Sequence, residues 1–412
     1  MQQTSSLSHL TRRSFLGVSL RASSALAFAP GLAAFARQAA RSVDTFAFVG
    51  TYDDASSANG NGEGIYRFRF DARTGELKER ALAARTPNPS WIAIHPSRRL
   101  LYCVNEVTNF AGNSGSVSAF ALNPETGQLQ ALNTVSSRGA GPAYLSIGPR
   151  GRFALVANYA GGSVAVLTVL PSGALSQAVH VRSDTGSVGK THASSAPLGS
   201  FAISGHDAPH VHMVAFDPEN RFVLATDLGQ DRIYTYTLDR STGRLSPAGR
   251  GFVSLPSGDG PRHIAFHPNG RWLYSIQEEA STVAFFHFDQ STGNLALQQT
   301  LSTLPAGFAG TNFASEILVS PDGHSLYTAN RLHDTIAHFA IQRDGRLLWV
   351  EEASTHGDYP SQFCLAPGGN FLFACNRRSD SITSFRIQRP SGRLVFTGQY
   401  TAVGSPGCIT FL

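Results

Sequence analysis

The sequence has little sulfur, with four cysteines and two methionines among its 412 residues. The cysteines are Cys103, Cys364, Cys375 and Cys408; no two of them form a CxxC pair, and each lies in an apolar, strand-like run. Such positions are typical of buried thiols, which behave as small apolar side chains. We therefore predict free cysteines rather than a disulfide framework.

Several signatures of well-known active sites are also missing. There is no GxSxG nucleophile elbow, no Walker loop, no dinucleotide-binding glycine fingerprint and no HExxH zinc motif. Nucleophilic serine catalysis therefore has no support in the sequence, and no cofactor is predicted. Aromatic residues make up 10% of the chain, but they fall at core positions of a repeat. We interpret them as packing residues and not as a platform for stacked bases.

Charge is scarce as well, since Asp, Glu, Lys and Arg make up only 15% of the chain. The formal net charge is +5, but the first 36 residues hold three arginines and no acidic residue, so the charge without them is +2. A strongly basic surface is the main sequence indicator of nucleic-acid binding. No nucleic-acid partner is predicted.

The first 36 residues have the pattern of a targeting signal. Thr11-Arg12-Arg13-Ser14-Phe15-Leu16-Gly17 is a twin-arginine motif, and a small, apolar stretch ends at a candidate cleavage site, Ala34-Phe35-Ala36. Arg21 and Pro30 interrupt this stretch, which argues against a stable membrane-spanning helix. We therefore predict a twin-arginine signal peptide at residues 1–36 and export by the twin-arginine machinery. The mature protein is expected to be periplasmic or secreted, without a membrane partner.

What the sequence does contain is a repeat, marked by 40 glycines and 21 prolines. A turn with Gly, followed two residues later by Leu, occurs seven times at intervals of 46 to 70 residues. The copies are Thr74–Leu77, Thr126–Leu129, Ser172–Leu175, Thr242–Leu245, Thr292–Leu295, Asp344–Leu347 and Ser391–Leu394. We predict that each turn joins the third strand of a unit to the fourth, with Gly at a positive φ.

A β-hairpin template recurs six times between these turns, with alternating apolar residues on both sides of a proline-containing turn. The prolines are Pro96, Pro149, Pro218, Pro268, Pro321 and Pro367. Four short strands per unit of about fifty residues, without helical periodicity, predict an all-β fold, a seven-bladed β-propeller over residues 44–412. The long interval implies a surface loop inserted near residues 183–206.

The seventh unit is divided between the two ends of the chain. Residues 406–412 have the pattern of an inner strand, and residues 46–52 have that of a second strand. Pairing them would close the ring and remove both exposed sheet edges. We therefore predict a seventh blade closed by N- and C-terminal strands.

The hairpins bring unusual side chains to one end of the predicted channel. The first and last positions of each template are 16 residues apart, and they should form two rings at that end. The pairs are Ser90 with Glu106, Ala143 with Tyr159, His212 with Leu228, Arg262 with Glu278, Ser315 with Arg331, Ser361 with Arg377, and Gly407 with Thr51 in the divided blade. A guanidinium opposite a carboxylate, as in Arg262 and Glu278, can form a bidentate pair.

Three interpretations of these rings are open. Charged groups are costly to bury without partners, so the rings predict either a site for a small anionic ligand or an ion-pair network that holds the blades together. A zinc or iron site is a third possibility. It would draw on His206, Asp207, His210, His212, His263 and His267. HxH spacing is common and no carboxylate completes a recognisable set, so no metal is predicted.

Several stretches resemble a known family. They are Asn88–Pro96, Ala157–Val164, His210–His212, Asp227–Arg232, Gly260–His263, Ser320–Gly323 and Ala329–Arg331. Together they are similar to the seven-bladed lactonases, which include bacterial 6-phosphogluconolactonase of the propeller type and fungal carboxymuconate cyclase. The resemblance covers about residues 44–412 and implies hydrolysis of a lactone without a metal. Carried over by motif, the family's catalytic residues correspond to His212, Arg262, Glu278 and Arg331.

The expected roles follow from the chemistry of lactone opening. His212 would be the general base, because an imidazole titrates near neutral pH. Arg262 and Arg331 would stabilise the developing oxyanion, and Glu278 would orient Arg262 or share in proton transfer. Residues expected to bind the substrate, a small-molecule lactone, are His210, Glu106, Tyr159 and Arg377.

The sequence departs from the family at Pro360-Ser361-Gln362-Phe363, where relatives usually have an arginine after the proline. This departure puts binding of a phosphorylated lactone in question, although Arg377 could compensate from the second ring. A monomer is expected. Two other functions stay open: a non-catalytic exported propeller that binds a ligand or a protein, and a muconate-type cycloisomerase that forms a lactone.

Overall fold

The computed structural model describes residues 45–53, 60–202 and 205–412. In chain order its strands are β1 (Thr45–Thr51), β2 (Ile65–Asp71), β3 (Glu76–Ala84), β4 (Trp91–Ile94), β5 (Leu100–Phe110), β6 (Ser114–Leu122), β7 (Leu129–Ser136), β8 (Pro142–Ile147), β9 (Phe153–Asn158), β10 (Ser163–Val169), β11 (Leu175–Arg182), β12 (Ser200–Phe201), β13 (Val211–Phe216), β14 (Val223–Asp227), β15 (Arg232–Leu238), β16 (Leu245–Ser254), β17 (Pro261–Phe266), β18 (Trp272–Gln277), β19 (Thr282–Phe288), β20 (Leu295–Ser302), β21 (Gly310–Thr311), β22 (Ala314–Val319), β23 (Ser325–Asn330), β24 (Thr335–Ile341), β25 (Leu347–Ser354), β26 (Pro360–Leu365), β27 (Phe371–Asn376), β28 (Ser381–Gln388), β29 (Arg393–Ala402) and β30 (Pro406–Phe411). The one helical element of these residues is a 3₁₀ turn at Arg377–Ser379.

Twenty-eight of these strands form seven four-stranded antiparallel sheets, which are the blades. From the first strand outwards, blade 1 is β4 to β7, blade 2 is β8 to β11, blade 3 is β13 to β16, blade 4 is β17 to β20, blade 5 is β22 to β25, blade 6 is β26 to β29, and blade 7 is β30, β1, β2 and β3. The first strands contact one another in the order β4, β8, β13, β17, β22, β26, β30 and back to β4. The predicted seven-bladed propeller is confirmed.

The divided blade closes as the sequence predicts. β30 pairs with β1 in antiparallel fashion, with Val49 opposite Ile409 and Gly50 opposite Cys408. The innermost strand of blade 7 therefore comes from the C-terminal end, and the other three strands come from the N-terminal part. Closure leaves no first strand without a neighbouring blade on either side.

The seven turn glycines join third strands to fourth strands, and all of them have a positive φ, between 67° and 89°. Gly345 shows why no other residue fits there. A Cβ on Gly345 would lie 2.3 Å from the ring of Phe285 in the preceding blade. Both the backbone conformation and the close approach therefore require glycine at this turn.

The hydrophobic core lies between adjacent blades, as several apolar clusters composed of residues from two neighbouring blades show. Buried tyrosines of the second strands link these blades with hydrogen bonds. The hydroxyls of Tyr102, Tyr274 and Tyr327 donate to the carbonyl oxygens of Gly173, Gly345 and Gly392 in the next blade, at 2.8, 2.8 and 2.6 Å. The recurring Tyr and the recurring turn Gly thus form the same hydrogen bond between neighbouring blades in all three cases.

Fully buried asparagines lie on the second strands of four blades, at the last residue of the strand in three of them and within β5 in blade 1. Their side-chain amides donate to carbonyl oxygens in the segment that leads in from the preceding blade, at 2.7 to 3.4 Å. The residues are Asn105, Asn158, Asn330 and Asn376. Each one fixes the path of the chain towards the channel, because an unpaired buried carbonyl is costly.

The inserted segment is tied to the connection between blades 4 and 5, since β12 pairs in parallel with β21, a short strand in that connection. The predicted signal peptide at residues 1–36 lies outside the described residues. Within the described residues, no helix is long and apolar enough to cross a membrane.

All four cysteines are free, and Cys103, Cys375 and Cys408 are buried.

We expect that Asn330→Ala lowers the free energy of unfolding by about 1–3 kcal/mol, because it leaves the buried carbonyl of Thr303 without its donor. Urea unfolding of the two proteins measures the difference. Gln130→Ala, on the exposed outer strand β7, is the control and should change stability by no more than about 0.5 kcal/mol. Equal effects of the two substitutions would contradict this role of Asn330.

Candidate active site

A repeated β-bulge shapes the end of the channel. In six of the seven blades the register between the first and second strands shifts at the same place, as between Pro261 and His263 in blade 4. A bulge sets two residues of one strand against one residue of its partner. Consecutive residues can then face the channel, and both Arg262 and His263 do so, as do Ser361 and Gln362.

A cavity of about 200 Å³ lies where the rings converge. It brings together seven of the eight residues that the sequence places at the site. They are His212, Arg262, Glu278, Arg331, Glu106, Tyr159 and Arg377. The same cavity is also lined by Tyr52, Trp91, His263, Tyr359 and Gln362, which the ring argument does not identify.

His210, the eighth residue, does not line the cavity. Its ring stacks on that of Tyr159, with 4.5 Å between centroids, and its nitrogens contact the carbonyl oxygen of Tyr159 at 3.0 Å and Asp207 Oδ1 at 2.9 Å. His210 and His212 are two residues apart but do not lie on one face of a strand, because β13 begins at Val211 and is bulged there. The structure places His210 behind Tyr159 as its support.

The ring prediction is wrong at one position in the divided blade. Thr51 pairs with Pro406 and is fully buried, and its hydroxyl donates to the carbonyl oxygen of Gly64 at 2.7 Å. The next residue, Tyr52, lines the cavity in its place. The same relation holds in blade 4, where Gln277 pairs with Pro261 and the following residue faces the cavity. Two other ring residues, Ser315 and Leu228, are buried but do not line the cavity.

Glu278 joins two arginines at the centre of the site. Its Oε2 lies 2.9 Å from Arg262 Nε, and its Oε1 lies 2.7 Å from Arg331 Nη2. All three side chains are about nine-tenths buried. Burial and the nearby Arg331 lower the pKa of Arg262. Burial also acts to lower the pKa of Arg331, but Glu278 and Tyr359 act against it and the net pKa is raised. Both guanidiniums stay charged at neutral pH, because an arginine side chain does not lose its proton in proteins.

A second polar group lies on another side of the cavity. The Tyr52 hydroxyl donates to Glu106 Oε2 at 2.9 Å, and the Arg377 guanidinium lies 3.8 Å from the centroid of the Tyr52 ring. Burial raises the pKa of Glu106. This group adds one more cation and one more carboxyl group to the lining.

His212 presents an unusual nitrogen. Its Nδ1 is buried and has no hydrogen-bond partner among the described residues. Its ring meets those of Tyr159 and His263 edge-on, with 5.3 and 5.0 Å between centroids. Burial, reinforced by the charge of Arg262, lowers the pKa of His212 well below its ordinary value. The expectation that His212 titrates near neutral pH is therefore wrong, and the imidazole is neutral at pH 7.

A buried pair lies beside Arg262. His263 Nδ1 is 3.0 Å from Glu316 Oε1, which also accepts a hydrogen bond from the backbone N–H of Ile317 at 3.0 Å. Burial lowers the pKa of His263 well below its ordinary value and raises the pKa of Glu316 to about 8. The sequence gives His263 only as a possible metal ligand and does not indicate Glu316. Their position in the sequence could have identified them: His263 and Glu316 each directly follow a ring residue, where the bulge turns the side chain inwards.

The alternative of a metal site has no geometric support from the described residues, in which no three His, Cys, Asp or Glu side chains are arranged to hold an ion. His206 instead contacts Asp231 at 3.1 Å, and His267 Nε2 contacts the carbonyl oxygen of Gly323 at 3.0 Å.

We expect the stability difference between Glu316→Gln and the unaltered protein to change with pH. The folded protein keeps a proton on Glu316 between its ordinary pKa of 4.5 and about 8, and the unfolded chain does not. The contribution of Glu316 to the free energy of unfolding is thus complete below pH 4.5 and is lost as the pH rises towards 8. The amide of Glu316→Gln does not titrate. The free energy of unfolding of this variant, relative to that of the unaltered protein, should therefore rise from pH 5 to pH 8, by at most about 1.4 kcal/mol per pH unit.

Urea unfolding at pH 5, 6, 7 and 8 measures this difference, with the exposed Glu125→Gln as the control. A difference for Glu316→Gln that is the same at every pH would show that the buried carboxyl is not protonated.

Comparison with known proteins agrees with the fold. The family model described as "Lactonase, 7-bladed beta-propeller" matches residues 46–411. The 6-phosphogluconolactonase of Bacillus subtilis is 33% identical over 366 residues, which cover 89% of this chain and 97% of the relative.

Solved structures give the same result. The periplasmic gluconolactonase of Pseudomonas aeruginosa has a TM-score of 0.79 and 32% identity, and the alignment covers 89% of this chain and 99% of that protein. A Bacteroides fragilis protein has a TM-score of 0.80 and 30% identity, with 91% of this chain and all of that chain covered. The chain therefore belongs to the family of seven-bladed β-propeller lactonases.

Proposed function

We propose that this protein hydrolyses a sugar lactone in the cavity at the channel mouth, using its own side chains. One observation carries the proposal: the neutral imidazole of His212 lines the same cavity as two guanidiniums joined by one carboxylate. Lactone opening needs a base for water and positive charge for the carbonyl oxygen. The relatives named as lactonases support the same reaction.

In the first step, His212 takes a proton from a water molecule as the water oxygen bonds to the carbonyl carbon. Arg262 and Arg331 stabilise the negative charge that develops on the carbonyl oxygen, because both side chains are about nine-tenths buried and already held in place by Glu278. The guanidinium fork suits an oxyanion better than an ammonium group does.

In the second step, the bond between the carbonyl carbon and the ring oxygen breaks. The proton on His212 goes to the leaving oxygen, and the product is an open-chain hydroxy acid. The low pKa of His212 favours this step, because a protonated imidazole in such an environment is a strong acid. Glu278 positions the two guanidiniums and takes no proton in this scheme.

The rest of the lining supports a polyhydroxy substrate. Glu106, Tyr159, Tyr52 and Gln362 offer hydrogen-bond donors and acceptors, and Arg377 offers a charge to an anionic substituent. We propose an unphosphorylated sugar lactone as the main substrate, supported by the Pseudomonas aeruginosa relative, a periplasmic gluconolactonase, and by the signal peptide predicted at residues 1–36. The protein would then act in the periplasm or outside the cell.

We expect the purified protein to hydrolyse glucono-δ-lactone faster than the spontaneous reaction, and His212→Ala to lower kcat by about 10²- to 10⁴-fold, since general acid–base catalysis is lost. A pH-stat assay measures both rates. His95→Ala is the control, because His95 follows β4 at the other end of that strand and does not line the cavity.

The same assay separates the alternatives. A non-catalytic binding propeller would not exceed the spontaneous rate with any lactone, and a muconate cycloisomerase would form a lactone from a muconate while leaving gluconolactone unchanged. Full activity in His212→Ala would contradict the assigned base.

We expect Arg377→Gln to raise KM for 6-phosphogluconolactone by about 10-fold or more and to change KM for the unphosphorylated lactone much less. A hydrogen bond to a charged group contributes about 1.5–3 kcal/mol, and only the phosphate offers one to Arg377. Arg378→Gln is a matched control from the same 3₁₀ turn, because Arg378 lies over the Tyr359 ring and does not line the cavity. An equal rise for both substrates would mean that Arg377 does not select for phosphate.

A further inference from the structure

Five side chains form one continuous line of contacts that begins at the buried Glu316 and ends in the cavity at Arg331. Glu316 Oε1 lies 3.0 Å from His263 Nδ1, and His263 Nε2 lies 3.4 Å from Arg262 Nη1. Arg262 Nε then contacts Glu278 at 2.9 Å, and Glu278 contacts Arg331 at 2.7 Å. The first two members have no part in the two hydrolytic steps described above.

The contact with Arg262 decides which nitrogen of His263 carries the proton. A guanidinium can only donate, so the ring nitrogen that faces it must accept. The proton of the neutral ring is therefore on Nδ1, which donates it to Glu316 Oε1. The opposite tautomer would place two donors against each other in a site from which water is largely excluded.

Glu316 suits this arrangement. Its Oε1 accepts two hydrogen bonds, from His263 and from the backbone of Ile317, as the carbonyl oxygen of a neutral carboxyl group does. Its Oε2 is buried and has no hydrogen-bond partner among the described residues. The other titratable and charged groups that interact with it are Arg262, Tyr144, Cys364, Cys375 and Cys408.

We propose that Glu316 and His263 are positioning residues that fix the orientation of the Arg262 guanidinium in the cavity. The inference rests on the proposed hydrolysis, in which Arg262 contacts the oxyanion. Arg262 is then held from three directions: Glu278 at Nε, the carbonyl oxygen of Ser315 at 2.5 Å from Nη1, and the lone pair of His263. Without Glu316, the imidazole of His263 can rotate or change tautomer. Arg262 then loses its contact with His263 Nε2.

A kinetic test separates positioning from mere structural support. Glu316→Met fills the same space without an acceptor, and we expect it to lower kcat about 10- to 100-fold, the range for a misplaced catalytic group, with KM changed less than about threefold. Glu316→Gln keeps an acceptor oxygen for His263 and should restore kcat to within about threefold. Cys364→Ala, beside Glu316, is the control and should leave kcat unchanged.

A double-mutant cycle tests whether the effect passes through Arg262. Arg262→Lys keeps the charge but loses the fork, so adding Glu316→Met to it should cause no further loss. Losses that multiply would overturn the proposal, and so would full kcat in Glu316→Met.

The imidazole tautomer gives a readout that does not depend on turnover. The ¹⁵N NMR spectrum of protein labelled at histidine, with His263 assigned by its loss in His263→Gln, should show the proton on Nδ1. A proton on Nε2 in the unaltered protein would overturn the positioning role even if the enzyme is active. Absence of lactonase activity would instead overturn the proposed function, while the tautomer would still show whether Glu316 and His263 are paired as described.

Discussion

The site depends on the balance of buried charge around Glu278. Two guanidiniums within reach of one small molecule repel each other, and burial adds to the cost of each. One carboxylate in contact with both makes the arrangement stable, and removing one partner from such a buried group typically costs about 3–5 kcal/mol. The Glu278 carboxylate holds both arginines in place before any substrate arrives. The same contacts therefore form an ion-pair network and prepare a binding site, so these two interpretations of the rings are compatible.

The propeller provides what this arrangement needs. Six of the seven blades contribute a bulged first strand, and the ring places the ends of the first strands around one opening. The residues of the site come from blades far apart in the sequence, such as Glu106 in blade 1 and Arg331 in blade 5. No single hairpin could bring an imidazole, three guanidiniums and two carboxyl groups into one cavity. The fold itself does not determine the chemistry; the side chains at the strand ends do.

Most of the architecture and the main part of the site could be predicted from the sequence, because both follow a period. The turn glycines and the hairpins set the number of blades, and the 16-residue spacing identifies Arg262, Glu278, His212 and Arg331. The errors occur where the period is interrupted. In the divided blade there is no hairpin turn to count across, so the spacing places Thr51 where Tyr52 lies. The bulge turns a second residue of the strand inwards, and a simple alternation therefore misses Glu316 and His263 as a pair.

The pairing of β30 with β1 joins residues more than 350 positions apart, as between Ala47 and Phe411. Few local contacts can guide such a pairing, and contacts of long sequence separation slow folding. The six intact blades can form their hairpins as soon as each is synthesised, whereas the seventh has to wait for the last strand. Until that moment the partly folded chain exposes the unpaired edge of β1 and two uncovered blade faces. Ring closure is thus the stage at which this protein is most open to aggregation and to help from a chaperone.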